Sequence, residues 1–153
     1  MGETGSMRTH EPASDFAAQP LPPVSAATRK VMQANRRRDT GPELKVRRFL
    51  HARGYRFRVD YGRLPGRPDV ALPKHRLAIF VHGCYWHRHG CGRGGQPRTN
   101  AEFWQAKFDR NADRHERNAA ALRQLGWRVV VVWECSLRDV EGAMAPVLAL
   151  LRA

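Results

Sequence analysis

Trp127-Arg-Val-Val-Val-Val-Trp133 is a short, nearly continuous apolar run that follows Gly126 and a long helical stretch. Such a run reads as a strand buried on both faces, because valine suits the pleat and almost no polar face remains for water. A strand of that kind needs helices packed on its sheet, which constrains the chain to an α/β domain with a mixed sheet. Two further strand candidates, Asp69–Leu72 and Leu77–His82, are separated only by Pro73-Lys-His-Arg76, a loop short enough for an antiparallel hairpin. With the turn centred between Lys74 and His75, paired residue numbers sum to about 149, which sets Asp69 opposite Phe80 and beside Val81 and His82. Tyr55-Arg-Phe-Arg-Val59 alternates with period two and reads as another strand, aromatic and aliphatic groups inward and arginines outward.

Helix signals surround these runs. Ser25 caps a short helix through about Asn35, ahead of the basic run Arg36–Arg38. Thr40-Gly-Pro-Glu43 fits a capping box with Pro42 in the first turn. The helix it opens buries Leu44, Val46, Phe49 and Leu50 and stops at Gly54, a good left-handed residue. Thr99-Asn-Ala-Glu102 is a second capping box, opening a long helix toward Leu125. Along it Trp104, Phe108, Ala112, Ala119, Leu122 and Leu125 keep helical spacing, and Gly126 ends it. A final helix runs from about Glu141, whereas residues 83–98, with five glycines, read as irregular.

The chain has 27 Lys+Arg against 14 Asp+Glu over 153 residues, a formal charge of +13. That excess points to a polyanion, nucleic acid before an anionic membrane. Arginine supplies 23 of the 27 cations, a bias that a GC-rich coding sequence explains equally well. The longest unbroken apolar runs hold five residues, far short of the ~18 of a membrane span. The N-terminal segment lacks a basic n-region and an apolar h-region, so the expected compartment is the cytoplasm. Its prolines at 12, 20, 22 and 23 read as a disordered arm. Three cysteines, Cys84, Cys91 and Cys135, argue against a disulfide framework and leave metal ligation or inert burial.

Two constellations carry chemistry. At the hairpin a carboxylate, a strand-end carbonyl and an imidazole meet at one sheet edge, the donor set that a hard cation and a water nucleophile require. Taken alone, Asp69 could equally cap its own turn. Downstream, His82-Gly-Cys84-Tyr-Trp-His87-Arg-His89-Gly-Cys91 sets three histidines and two cysteines within ten residues, with Cys135 44 positions beyond. Three thiolates and one imidazole complete a closed, structural zinc shell. Spacing leaves open which histidine is the ligand and which remain for chemistry. His10, His51, His75 and His115, in polar or basic contexts, read as solvated, and Trp127 and Trp133 as structural brackets of the valine strand.

From about Thr28 to Arg138 these residues resemble the very short patch repair (Vsr-type) DNA mismatch endonucleases. The likeness is carried by Asp39-Thr40 with Pro42-Glu43, Leu64-Pro-Gly-Arg-Pro-Asp69, and Phe80-Val-His-Gly-Cys-Tyr-Trp-His87 continuing to Cys91. Glu102-Phe103-Trp104, Gly126-Trp-Arg-Val129 and Val132-Trp-Glu-Cys135 follow in order. The resemblance implies a restriction-endonuclease-like α/β core, its mixed central sheet flanked by helices and stapled by structural zinc, over residues 28–153, with residues 1–27 as the arm. It implies a monomer that nicks one strand of duplex DNA at T:G mismatches left by deamination of 5-methylcytosine. That nick would begin very short patch repair on the bacterial nucleoid, with other mismatch-repair proteins as downstream partners.

Carried over by position, the resemblance implies zinc on Cys84, His89, Cys91 and Cys135. It implies catalytic magnesium on Asp69 and the Val81 backbone carbonyl. His82 and His87 fall on the catalytic histidines and Glu43 on a supporting acid, although on its own the Glu43 carboxylate reads as completing the Thr40 capping box. Tyr85, Trp86 and Trp104 correspond to aromatics that intercalate beside the mismatch, though Trp104 has the spacing of a core residue. Two positions depart from the pattern: valine for threonine at 81, which keeps the carbonyl, and tyrosine for phenylalanine at 85, which keeps the ring face. The competing expectation is a non-catalytic zinc-containing module that binds nucleic acid through its basic face; a ribosome-associated basic protein fits the charge but not the motif order. The acids favour the nuclease, since a binder has no need of carboxylates facing phosphate.

Overall fold

The computed structural model describes residues 38–87, 89–92 and 100–152. The expected arm, the helix Ser25–Asn35, Arg36, Arg37 and Thr99 lie outside the described residues. In chain order the elements are α1 (Gly41–Ala52), β1 (Val70–Leu72), β2 (Leu77–His82), α2 (Ala101–Gln124), β3 (Arg128–Trp133) and α3 (Val140–Arg152). The sheet runs β1-β2-β3, with β1 antiparallel to β2 and β2 parallel to β3. Val70 pairs with Ile79 and Leu72 with Leu77, the register expected from the short connection. That connection is one 3₁₀ turn, Pro73–His75, closed by Arg76 in the left-handed region. Parallel pairing sets His82 beside Trp133.

Alternation along β2 divides the core into two layers. Leu77 and Ile79 join Val46 and Leu50 of α1 and Met144 and Val147 of α3. Ala78 and Phe80 face the other way and join Ala71, Leu64 and Leu122 of α2. The same period sends His82 to the α2 side, where its ring lies against Phe80. Helices on both faces of a mixed sheet give the expected α/β class.

Four local expectations are corrected. Tyr55–Val59 is not a strand. Arg58 makes a single antiparallel bridge with Ala71, exchanging N–H···O bonds of 2.8 and 2.9 Å. Asp60 then takes a positive φ of 47° and turns the chain away, so a three-residue β1 offers no longer ladder. Second, β3 is only half-buried apart from Val132, because it has one strand neighbour among the described residues. Third, Ala112 is exposed and Leu125 is 54% exposed, so the inward stripe of α2 is narrower than its apolar pattern. Fourth, α2 is N-capped by Asn100 in the left-handed region, without a side-chain capping bond.

The start of α1 follows its capping signal with one variation. The Thr40 oxygen accepts from the Glu43 N–H at 3.5 Å, while the Glu43 carboxylate accepts from the Thr40 hydroxyl and from the Asp39 N–H. One glycine is demanded by the fold: Gly66 has φ +73°, and a Cβ there would lie 2.8 Å from Asn118 of α2. This close approach seats the Leu64–Asp69 loop against α2 and delivers Asp69 to the start of β1. Among the described residues no helix is long and apolar enough to cross a membrane.

Candidate active site

The acid corner forms where β1 begins. Asp69 Oδ2 accepts the Val81 N–H at 2.7 Å. Successive residues of a strand aim their backbone groups at opposite neighbours. The His82 carbonyl accepts the Glu134 N–H on the β3 side, so the Val81 carbonyl lies on the Asp69 side, past the end of β1. Burial pushes the Asp69 carboxyl up to about 6; the Val81 N–H and Arg47 work against that, and Glu43 with it. Glu43, 5% exposed, is held by Arg47 Nη2 at 2.8 Å, and the same guanidinium binds Asp39. The result is a desolvated carboxylate beside a carbonyl oxygen outside the β1 ladder, with a second acid nearby.

At the end of β2, His82 and His87 stack face to face, with ring centroids 3.6 Å apart and planes within 5°. His82 is 6% exposed. Burial, and secondarily the neighbouring imidazoles, pulls His82 down to about 3. Burial likewise pulls His87 down to about 4, with His115 and Arg114 adding to it. Each ring is therefore neutral near pH 7 and carries one nitrogen lone pair, and the same burial disfavours its keeping a proton.

The loop after β2 doubles back through His87 N–H to Gly83 O (3.3 Å), His89 N–H to Cys84 O (3.1 Å) and Cys91 N–H to His89 O (2.8 Å). Those turns, with Cys135 just beyond β3, gather Cys84, His89, Cys91 and Cys135 so that their donor atoms all lie within 4.8 Å of one another. Burial and the adjoining thiols raise the Cys84 thiol to about 11, a penalty on the thiolate that a cation in their midst would offset.

Beside this cluster Tyr85, Trp86 and Trp104 share one aromatic patch. Tyr85 meets Trp86 at 5.1 Å and Trp104 at 6.4 Å. Phe108 braces Tyr85 and Trp104 from the next turn of α2, and Lys107 Nζ sits 5.4 and 5.0 Å from the Trp86 and Trp104 rings. All three rings are half-buried, with area left to meet a ligand.

Two comparisons with known proteins, the family model and the sequence relatives, agree on one family. Residues 24–93 match the family model described as DNA mismatch endonuclease Vsr. The DNA mismatch endonuclease Vsr of Escherichia coli K12 is 46% identical over 116 residues, 75% of this chain and 74% of that protein. Type II nicking enzyme V.XorIIP of Xanthomonas oryzae pv. oryzae is 48% identical over 112 residues, 73% of this chain and 82% of its own. The chain belongs to the Vsr family of DNA mismatch endonucleases. Its fold is also similar to the catalytic domain of homing endonuclease I-Bth0305I, with a TM-score of 0.52 at 20% identity over 73% of this chain and 94% of that one.

Seen as a Vsr-family enzyme, the chain holds three contributors that sequence reasoning missed. His115, expected in solvent, stands edge-on to His82 at 4.3 Å and to Phe80 at 5.1 Å. Trp133, expected to be a strand bracket alone, stacks on His89 at 4.2 Å and meets His82 edge-on at 5.3 Å. Arg47 ties Glu43 to the acid corner. The first had a signal: 104, 108 and 115 share one helical face, so His115 belongs to the stripe that carries Trp104 and Phe108.

Proposed function

We propose that this Vsr-family enzyme nicks one strand of duplex DNA at T:G mismatches produced by deamination of 5-methylcytosine, the step that opens very short patch repair. The observation that carries the reading is a desolvated carboxylate and a neutral, stacked imidazole pair at the same end of β2. The names of the relatives support it: one is a DNA mismatch endonuclease, others are nicking enzymes.

The donor sets fit two different cations. Hard Mg²⁺ prefers oxygen, and Asp69 with the Val81 carbonyl would hold it. Three thiols and one imidazole suit zinc, which Cys84, His89, Cys91 and Cys135 would hold as a closed structural site. A magnesium ion held there would supply positive charge for the scissile phosphate and its leaving oxygen. Asp69 orients the site through its bond to the Val81 N–H. One imidazole of the pair takes the proton of the attacking water, and the other moves a proton or steadies charge beside it. Glu43 acts through its neighbours, fixing Arg47 and adding negative charge next to Asp69.

Tyr85, Trp86 and Trp104 would enter the duplex beside the mismatch. Unstacking a step costs a few kcal/mol, least where pairing is already weak, so insertion itself discriminates. The +13 charge supplies affinity that does not depend on sequence. We assign the endonuclease domain to residues 28–153 and its work to the bacterial nucleoid.

Incubating T:G and fully matched duplexes with the protein and Mg²⁺, then with EDTA, tests the reading. Mismatch-selective, EDTA-sensitive cleavage of one strand is the expected outcome. Binding without any cleavage would overturn it in favour of a zinc-containing binding module.

A further inference from the structure

Among the described residues, His115 is the one imidazole at this end of the sheet to which the mechanism above gives no task. It projects from the middle of α2, half-buried, and meets both members of the stacked pair edge-on: His82 at 4.3 Å and 78°, His87 at 6.3 Å and 79°. Trp133 does the same, at 80° to His82 and 76° to His87. Two perpendicular rings, one from α2 and one from β3, therefore clamp the orientation of the stack.

The clamp answers a physical problem. Two π faces lying parallel at 3.6 Å repel through their quadrupoles, and rings left to themselves slide to offset or T-shaped arrangements. Among the described residues neither His82 nor His87 has a side-chain hydrogen bond that would fix its orientation. A reactive histidine is more often oriented by a carboxylate, through a hydrogen bond that also raises its basicity. Here an imidazole approaches instead, and it fixes the rings by edge-to-face contact without adding negative charge. Phe80 braces His115 in turn, at 5.1 Å and 86°.

We propose that His115 is a positioning residue for the nicking reaction: its ring, set perpendicular to the His82–His87 stack, keeps both imidazoles in the geometry that proton transfer requires. The proposal rests on the reading of His82 and His87 as the proton-transfer groups. It is testable at this position because His115 touches none of the four Cys/His donors, whereas Trp133 stacks on one of them.

Steady-state nicking of a T:G duplex in Mg²⁺ would be measured over a range of duplex concentrations for His115→Ala, His115→Phe and His87→Ala, each in the full chain, together with imidazole ¹⁵N–¹H spectra. Loss of ring positioning lowers kcat of His115→Ala by about 10- to 100-fold with KM unchanged. Its His82 and His87 imidazole signals shift while the backbone amide spectrum away from the site does not. His115→Phe keeps a perpendicular ring and regains most of the rate. Wild-type kcat in His115→Ala overturns the proposal, and so does a Phe variant no faster than the Ala variant. If His115→Ala fails to fold, the Phe variant decides alone: a kcat within about threefold of wild type supports the role, and a larger loss overturns it. A slow His87→Ala beside a fast His115→Ala removes only the positioning role, whereas a wild-type rate in His87→Ala removes the histidine mechanism itself.

Discussion

The hairpin that carries Asp69 and the loop that carries His87 meet at one end of β2, yet different forces hold them there. β1 and β2 are joined by ladder hydrogen bonds, and apart from half-buried Val81 their apolar side chains are buried on both faces. Among the described residues, 83–87 and 89–92 have no ladder. They keep their shape through turn hydrogen bonds, a set of stacked rings, and four donor atoms gathered close together. Position in the first region is a by-product of folding the core. In the second, it depends on the side chains being given something to hold.

The comparison predicts unequal responses to substitution. The largest effect belongs to Asp69→Asn, which keeps the hairpin but removes the anionic oxygen. Nicking should fall about 10³-fold while the thermal midpoint stays near wild type. Wild-type rates in that variant would sink the magnesium assignment. Next is Cys135→Ser, or removal of metal with a strong chelator. Metal affinity should drop by more than the ~10- to 100-fold that loss of an outer-shell partner costs, and amide exchange should accelerate over residues 83–87 and 89–92 while β1 and β2 stay protected. Equal acceleration in both regions would erase the distinction drawn here.

Trp86→Ala tests recognition apart from chemistry. The preference for T:G over a matched duplex should shrink by about tenfold or more, since a few kcal/mol of unstacking is no longer compensated, with the matched-duplex rate little changed. An undiminished preference rules out Trp86 as a wedge. The smallest effect is expected for Glu43→Gln. It loosens the α1 cap and the Arg47 ion pair for about 1 kcal/mol of stability, read as a lower denaturant midpoint. A drop in nicking much larger than that in stability would show that Glu43 acts on the reaction directly.

The same contrast governs what was legible in the sequence. The hairpin register could be read from a four-residue connection, because strand pairing leaves few alternatives once the turn is short. Helix ends at Gly54 and Gly126 were legible because both adopt the positive φ that glycine allows. Tyr55–Val59 misled because alternation reports two faces, and the faces exist here without a ladder: Tyr55 and Phe57 pack against the core while the backbone pairs only once. The Cys/His spacing marked a cluster but could not rank the histidines. His89 was singled out by the resemblance, and His115 was overlooked because its partners are 28 and 33 positions away, His87 and His82, across a change of element. Local patterns report a residue's own turn of helix or strand, and neither a ring clamp nor an ion pair between elements is local.

One consequence of the cluster lies outside geometry. Every thiol the chain possesses is in it: Cys84, Cys91 and Cys135. An oxidant that pairs two of them removes two of the four donors and leaves an odd sulfur whose only disulfide partner is another molecule. Tyr85, Trp86 and His87 ride on the same loop, so in the roles proposed for them mismatch reading and strand cleavage would be struck together. An enzyme built this way would depend on the reducing power of its surroundings, and its activity would fall under the oxidative stress that also damages DNA.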